Sequence, residues 1–183
     1  MVLPPTLSVA LDIDPRSFEV DRTTPQPSIS ITVTSHTAHP ITIFIWPHVF
    51  NLSLSQKRDN FTCLDITSNT WLFLPVTAGP KRPGFKLEQG SYDEKYIYTL
   101  EPETPMIFKG DFGLARRIDD DIHTLIPGHR YRLSIREGEA VSWWRWGRKD
   151  DIIPPVGQPQ ALDKADGDPL VLQVEGPVEF SVE

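Results

Sequence analysis

The chain of 183 residues has little cysteine, a deficit of basic charge and no long apolar run. Its single cysteine, Cys63, cannot form an internal disulfide, which is typical of proteins from a reducing compartment. The 18 basic residues are outnumbered by 25 acidic ones, and the net charge of -7 has the wrong sign for a protein that neutralises nucleic-acid phosphates. We therefore predict that the protein has no nucleic-acid partner.

Segments that direct a chain to a membrane are also missing. The longest apolar run, residues 41–50, is interrupted by Pro47 and His48 and is far shorter than the roughly 20 residues that span a bilayer. No basic residue precedes Arg16, and no apolar h-region follows the first methionine, so the sequence predicts no secretory signal. These absences predict a cytoplasmic protein without a membrane partner.

Motifs for phosphate binding, metal binding and nucleophilic catalysis are absent as well. The sequence has no glycine-rich phosphate loop and no Gly-x-Ser-x-Gly elbow. His36 and His39 are the closest approach to a metal site, but residues three apart on a strand face opposite sides, and no third ligand follows at a suitable spacing. We predict no metal and no cofactor.

Proline, in contrast, is abundant, with 18 residues that interrupt helices and central strands. Between the prolines lie short segments with the alternation or the β-branched content of strands. The predicted strands are residues 7–13, 28–34, 41–46, 61–66, 71–76, 94–100, 104–108, 131–136, 141–146, 170–174 and 178–182. Residues 36–40 are predicted to join the second and third of them as a hairpin. The best helical window, residues 114–123, is a turn or two long.

This spacing of short strands predicts an all-β protein, an antiparallel immunoglobulin-like β-sandwich of Greek-key type. Tyr131 favours the sandwich because it follows a Pro-Gly turn, where a tyrosine corner would bond its hydroxyl to backbone a few residues upstream. We predict one domain over residues 1–183. The immunoglobulin-like part would cover residues 7–136, and an extension over residues 137–183 would add a Trp-rich strand, a long proline-rich loop and two closing strands.

Three further segments carry a family resemblance: residues 30–43 (SITVTSHTAHPITI), 99–104 (TLEPET) and 127–131 (PGHRY). They resemble the immunoglobulin-like inhibitor domains of the intracellular proteinase inhibitor family and the inhibitor-like segment of certain fungal metalloendopeptidases. The resemblance implies the sandwich fold and a protein partner, and it assigns no inhibitory residue, because inhibition depends on loops that these motifs do not include. Glu103 stands where a glycine is more usual in that family, and residues 138–183 fall outside the resemblance.

The most distinctive segment is residues 142–147, in which three tryptophans surround Arg145. Because side chains alternate along a strand, Trp144 and Trp146 would share one face, and Trp143 and Arg145 the other. One face can close the core, whereas the other needs a cover: a loop, a partner or a ligand. The proline-rich connection over residues 152–169 is the first candidate for that cover.

Two functions fit these residues. In the first, an aromatic-lined pocket binds a hydrophobic small molecule, and the protein would act as a cofactor-free cyclase or isomerase, of the pericyclase or Diels-Alder type, in fungal natural-product biosynthesis. The predicted ligand-binding residues are Trp46, Trp71, Tyr96, Trp143, Trp144 and Trp146. The predicted catalytic hydrogen-bond donors are Arg145, His48 and Tyr98.

In the second, the protein is a non-catalytic module that binds a protein partner, as the resemblance implies, so whether it is an enzyme stays open. An enclosed cavity beside the tryptophans would favour the first function, and a flat exposed aromatic patch the second.

Overall fold

The computed structural model describes residues 5–20, 26–74, 76–77, 84–116, 125–162 and 164–183. The strands are β1 (Leu7–Asp14), β2 (Ser17–Phe18), β3 (Ser28–Ser35), β4 (Ile41–Phe44), β5 (Phe61–Asp65), β6 (Thr70–Leu72), β7 (Lys86–Leu87), β8 (Ile97–Leu100), β9 (Met106–Asp111), β10 (Arg130–Ile135), β11 (Ala140–Val141), β12 (Trp144–Trp146), β13 (Gln160–Ala161), β14 (Leu170–Val174) and β15 (Val178–Val182). The helical segments are α1 (Leu52–Ser55), α2 (Lys149–Ile152) and two 3-10 turns, Tyr92–Tyr96 and Gly113–Arg116. No helix in these described ranges has the length and apolar character needed to cross a membrane.

Two five-stranded sheets form the body of the protein. The first has the order β11-β14-β1-β3-β9 and the second the order β2-β15-β10-β5-β6. A three-stranded sheet, β12-β4-β8, and the pair β13-β7 complete the architecture. The prediction of an all-β protein is confirmed. The prediction of purely antiparallel pairing is wrong at two places, because β1 pairs with β14 and β2 with β15 in parallel, across the long connections that parallel pairs require.

Side chains from both five-stranded sheets form one hydrophobic core. In β1, Leu7, Val9, Leu11 and Ile13 are buried, while the alternate residues between them are partly exposed. Leu133 and Phe180 of the second sheet belong to the same buried cluster. Burial of each such side chain contributes about 1.5–3 kcal/mol, so a slip of one residue in either sheet would be costly.

A tyrosine corner joins the core to the turn before β10, as the sequence predicts. Tyr131 is buried, and its hydroxyl accepts a hydrogen bond of 2.7 Å from the backbone N–H of Ile126. Gly128 has a φ of +82°, the left-handed conformation that the turn before the tyrosine requires. Burial raises the pKa of the Tyr131 phenol, so the hydroxyl stays neutral at physiological pH.

The predicted hairpin across residues 36–40 is wrong. β3 pairs with β1 and β9, whereas β4 pairs with β12 and β8 in the three-stranded sheet. The reason is burial: β4 is covered at all four positions, whereas β3 buries only alternate residues, so the two strands suit different environments. His36 fixes the turn between them through hydrogen bonds with Glu103 at 2.9 Å and Ser8 at 2.8 Å.

Several predicted boundaries also shift. Residues 94–96 belong to the 3-10 turn that precedes β8, and the predicted strand over 141–146 divides into β11 and β12. The predicted helical window begins in the 3-10 turn Gly113–Arg116, and its residues 117–123 lie outside the described residues.

Candidate functional site

An open cleft of about 850 Å³ lies between β8 and β9. Each of these strands is the last in its sheet, and the two sheets are different. The two strands are consecutive in the chain, and residues of both line the cleft. The cleft therefore combines aromatic side chains with strand edges that carry no further β-strand of the described chain.

One wall of the cleft is a row of three aromatic rings. Tyr98 on β8 meets Phe108 on β9 edge to face, with ring centroids 5.0 Å apart. Phe108 in turn stacks on Phe50 at 5.1 Å. Phe108 and Phe50 are buried, whereas Tyr98 is only half-buried and lines the cleft. The row anchors Tyr98 in the core while leaving part of its ring available to a ligand.

A second wall comes from Trp46 and Tyr96, which follow β4 and precede β8. Their ring centroids lie 4.9 Å apart, and Phe85 packs beside Trp46 at 5.9 Å. The backbone N–H of Ile45 donates to the carbonyl of Tyr96 at 2.8 Å, and this bond holds together the two segments that carry the rings of this wall. Both rings are half-buried, so the wall is rigidly supported and still accessible.

Helix α1 closes one end of the cleft. Gln56 donates to the carbonyl of Asp111 at 2.9 Å and accepts from the N–H of Gly113 at 2.7 Å, so its amide binds the end of the β9 edge. Asn51, which is 8% exposed, lies at the start of the helix and also lines the cleft. Its Oδ1 accepts a hydrogen bond of 3.0 Å from Ser53.

The charged side chains of the cleft are mostly basic. Lys57, Lys95 and Lys109 line it together with one acid, Asp111. The ammonium group of Lys95 lies 3.6 Å from the ring centroid of Tyr92. Among the described residues, neither Lys57 nor Lys109 forms an ion pair. A region of positive charge thus lies on a chain whose net charge is -7.

A smaller recess of about 460 Å³ continues along β8 and shares Tyr98 and Lys95 with the cleft. Its other basic residues are paired with acids. Arg148 donates two hydrogen bonds to Glu101, at 2.7 and 2.9 Å, and Lys149 donates to Glu94 at 2.9 Å. The bond from Lys149 lowers the pKa of the Glu94 carboxyl, so this pair is ionised at neutral pH. The recess is internally neutralised, unlike the cleft.

Of the predicted ligand-binding residues, the structure brings Trp46 and Tyr96 together in the cleft, with the predicted catalytic residue Tyr98 beside them. Trp71 lies apart from them, on the edge strand β6 of the second sheet, where it is 65% exposed. Trp143, Trp144 and Trp146 line neither the cleft nor the recess.

The Trp-rich strand β12 instead closes two cores. Trp144, 3% exposed, donates from Nε1 to the carbonyl of Asp168 at 2.9 Å and meets Trp146 edge to face at 5.5 Å. Trp143, 5% exposed, belongs to a second cluster on the other face. The predicted alternation is confirmed. The buried members of that second cluster are Phe44, Leu87, Ile97, Trp143 and Ile153.

The cover of the second face comes from the connection that the sequence indicates. Ile153, Leu162 and Ala165 from that connection pack into the cluster of Trp143. Arg145 lies with its guanidinium carbon 5.8 Å from the centroid of the Trp143 ring and donates to the carbonyl of Lys164 at 3.2 Å. The sequence leaves three covers open for this aromatic face: a loop, a partner or a ligand. In the structure, a loop of the same chain covers it.

His48 contacts Ser142, the residue after β11, and does not line the cleft. Its Nε2 accepts a hydrogen bond of 3.3 Å from the N–H of Ser142 and lies 3.0 Å from the Ser142 hydroxyl. Burial lowers the pKa of the imidazole to about 4, so the ring is neutral at pH 7. Of the three predicted catalytic residues, Tyr98 alone lines the cleft, and the structure does not bring His48 and Arg145 to it.

Metal and thiol chemistry find no support at this site. The described residues contain no group of three or more His, Cys, Asp or Glu side chains placed to hold a metal ion. Cys63 is buried in β5, where burial and the neighbouring Asp65 raise the pKa of its thiol to about 12. A thiol with such a pKa is a poor nucleophile at neutral pH.

Sequence reasoning missed Asn51, Lys57, Phe108 and Lys109. Phe108 lies on a predicted strand, but nothing in the sequence shows that this strand ends one sheet and faces the edge of another.

Comparison with known proteins finds no family model, no curated protein and no solved structure that matches the chain.

Proposed function

We propose that the protein binds a hydrophobic small molecule in the cleft between β8 and β9. One observation carries the proposal: Trp46, Tyr96 and Tyr98 line a single cleft of about 850 Å³. Ligand sites are typically about 300–1,000 Å³, mostly apolar, with a few placed polar groups. The cleft fits this description in size and in its aromatic walls, and polar side chains are placed around them.

The aromatic walls supply most of the binding free energy in this proposal. Half-buried rings that are held by neighbours lose little conformational freedom when a ligand stacks on them. The pairs Trp46–Tyr96 and Tyr98–Phe108 are held in this way, at 4.9 and 5.0 Å. A flat apolar molecule is therefore the preferred shape of ligand.

Catalysis as a cyclase or isomerase remains a prediction. Tyr98 could donate a hydrogen bond to a reacting carbonyl, as the sequence-based hypothesis requires. Binding is the simpler activity, and it needs only the residues that line the cleft.

The test uses N-phenyl-1-naphthylamine (NPN), a neutral apolar dye that fluoresces more strongly in apolar surroundings. Ile107, 64% exposed on β9, lines the cleft, whereas Val171, 62% exposed on β14 of the same sheet, does not. Ile107→Glu places a charge in the cleft and should raise the NPN dissociation constant by about tenfold or more, because a desolvated charge is unfavourable. Val171→Glu should leave it unchanged. Equal effects of the two variants, or no NPN binding by the wild type, would contradict the proposal.

A second candidate function is that of an immunoglobulin-like module that binds a protein, and the free edge of β9 favours it. The N–H of Phe112 donates to the carbonyl of Pro27, so by alternation the N–H groups of Ile107 and Lys109 point away from β3. An extended segment of a partner could pair with them. The sandwich itself is proposed to be immunoglobulin-like on the basis of the tyrosine corner and the single core shared by two sheets.

The implied inhibitor activity can be measured with a panel of serine, cysteine and metallo-proteases. Lys109→Pro removes one outward N–H and should abolish any inhibition that depends on strand pairing. Inhibition that survives this variant, or no inhibition of any protease, would count against the second candidate.

A further inference from the structure

We infer that the ligand of this cleft carries an anionic group, a carboxylate or a comparable oxyanion, which Lys57 and Lys109 recognise beside an apolar body. This inference rests on the proposed function and specifies the class of ligand. It is carried by the contrast between the unpaired lysines of the cleft and the paired charges of the recess next to it.

The charge of the cleft departs from that of the whole chain. A net charge of -7 would repel an anion from most of the surface. Lys57 follows α1, Lys95 lies in the 3-10 turn before β8, and Lys109 lies on β9, so three separate elements bring ammonium groups to one cleft. Among the described residues that line the cleft, Asp111 is the only acid, and their charges sum to +2.

Lys57 and Lys109 form no ion pair within the described chain, whereas the neighbouring basic residues do. In the recess, Arg148 and Lys149 are occupied by Glu101 and Glu94. Within the described chain, Lys57 and Lys109 have no such carboxylate. A ligand anion can therefore bind them without first displacing an internal partner, which would cost part of the binding free energy.

Asn51 adds a directional group near the lysines. Ser53 donates to its Oδ1, which orients the carboxamide, and among the described residues its Nδ2 has no hydrogen-bond acceptor. An N–H donor that lines a cleft and has no acceptor among the described residues can bind an oxyanion or a carbonyl oxygen of a ligand. The lysines attract the anion, and Asn51 can fix its orientation.

The experiment compares two dyes that share the anilinonaphthalene body. NPN is neutral, whereas 8-anilino-1-naphthalenesulfonate (ANS) carries one sulfonate. We expect wild-type protein at low salt to bind ANS about tenfold more tightly than NPN. We also expect this preference to shrink as salt is raised, because ions screen exposed charges.

Variants then locate the anion. Lys57→Gln and Lys109→Gln should each reduce the ratio of the NPN to the ANS dissociation constant by about two- to fivefold, the range for single exposed charges. Asn51→Asp should reduce it further, because it replaces a donor with a negative charge. Lys86→Gln removes an exposed lysine that lines neither space and should leave the ratio unchanged.

The outcomes separate the two claims. If NPN binds and Ile107→Glu weakens it, but ANS binds no more tightly than NPN, the anionic ligand is wrong and the proposed function stands. If Lys57→Gln and Lys109→Gln weaken both dyes equally, the lysines act by packing and the inference is also wrong. If neither dye binds, both claims fail.

Discussion

The Trp-rich strand β12 and the cleft between β8 and β9 are two aromatic regions of this protein that differ in burial and in how the sequence encodes them. β12 and the residue before it bring three tryptophans together within four positions, and Trp143 and Trp144 are almost completely buried. The cleft draws its aromatic residues from positions between 46 and 108, and Trp46, Tyr96 and Tyr98 stay partly accessible.

In this protein, tryptophans that are adjacent in the sequence form the core, whereas partly accessible aromatic rings at the edges of two sheets form the candidate site. A strand with large rings on both faces must be covered twice, and here the two covers are the main core and the loop after α2. A cleft arises where two sheets end beside each other, and that is a property of topology.

Removal of a buried indole should have the largest effect on stability. Trp144→Ala deletes a side chain that packs in the main core and donates to Asp168. We expect the free energy of unfolding to fall by about 3–5 kcal/mol, measured by chemical denaturation. Trp71→Ala, at a 65% exposed position, should change it by less than about 1 kcal/mol. Similar losses in the two variants would show that β12 is not a core element.

Gly167→Ala should have a smaller effect and tests how closely the covering loop packs on the same indole. A Cβ at residue 167 would lie 2.8 Å from Cζ2 of Trp144, so loop or ring must move. We expect a loss of about 1–3 kcal/mol in the free energy of unfolding, as for overpacked cores. Gly84→Ala is the control, because a Cβ there meets nothing within 4 Å. An unchanged free energy for Gly167→Ala would mean that the loop is loosely placed over Trp144.

The third effect appears only when the pH is lowered and concerns His48. Its pKa is about 4 in the folded protein against 6.5 for the ordinary group, so between these values the unfolded chain binds more protons. His48 therefore stabilises the fold fully above about pH 6.5, and this contribution is lost as the pH falls towards about 4, by about 1–3 kcal/mol. His48→Gln should reduce the pH dependence of the free energy of unfolding in this window.

A wild-type and a His48→Gln protein with the same slope between pH 6.5 and 4 would contradict the burial of the imidazole. Asp65 titrates separately. Its pKa is lowered in the fold, where His129 bonds to it at 2.7 Å, so its contribution is lost at still lower pH in both proteins.

The sequence predicts most strands and the tyrosine corner because both depend on local patterns. Alternation over residues 28–34 is a local signal, and so is the Pro-Gly turn before Tyr131. The partners of a strand are not local: β4 leaves the predicted hairpin with β3 because burial on both faces places it in another sheet. For the same reason the sequence predicts aromatic ligand-binding residues without separating Trp46 and Tyr96, which line the cleft, from Trp143, which does not. Lys57 and Lys109 could not be predicted at all.

The central claim is that a small molecule binds beside Trp46 and not beside the buried tryptophans. Each of the five tryptophans gives one indole N–H signal in a ¹H–¹⁵N correlation spectrum of labelled protein, and single Trp→Phe variants assign them. Titration with NPN should shift the signal of Trp46 and leave those of Trp143 and Trp144 in place. Shifts at Trp143 or Trp144 with Trp46 unchanged would contradict the account.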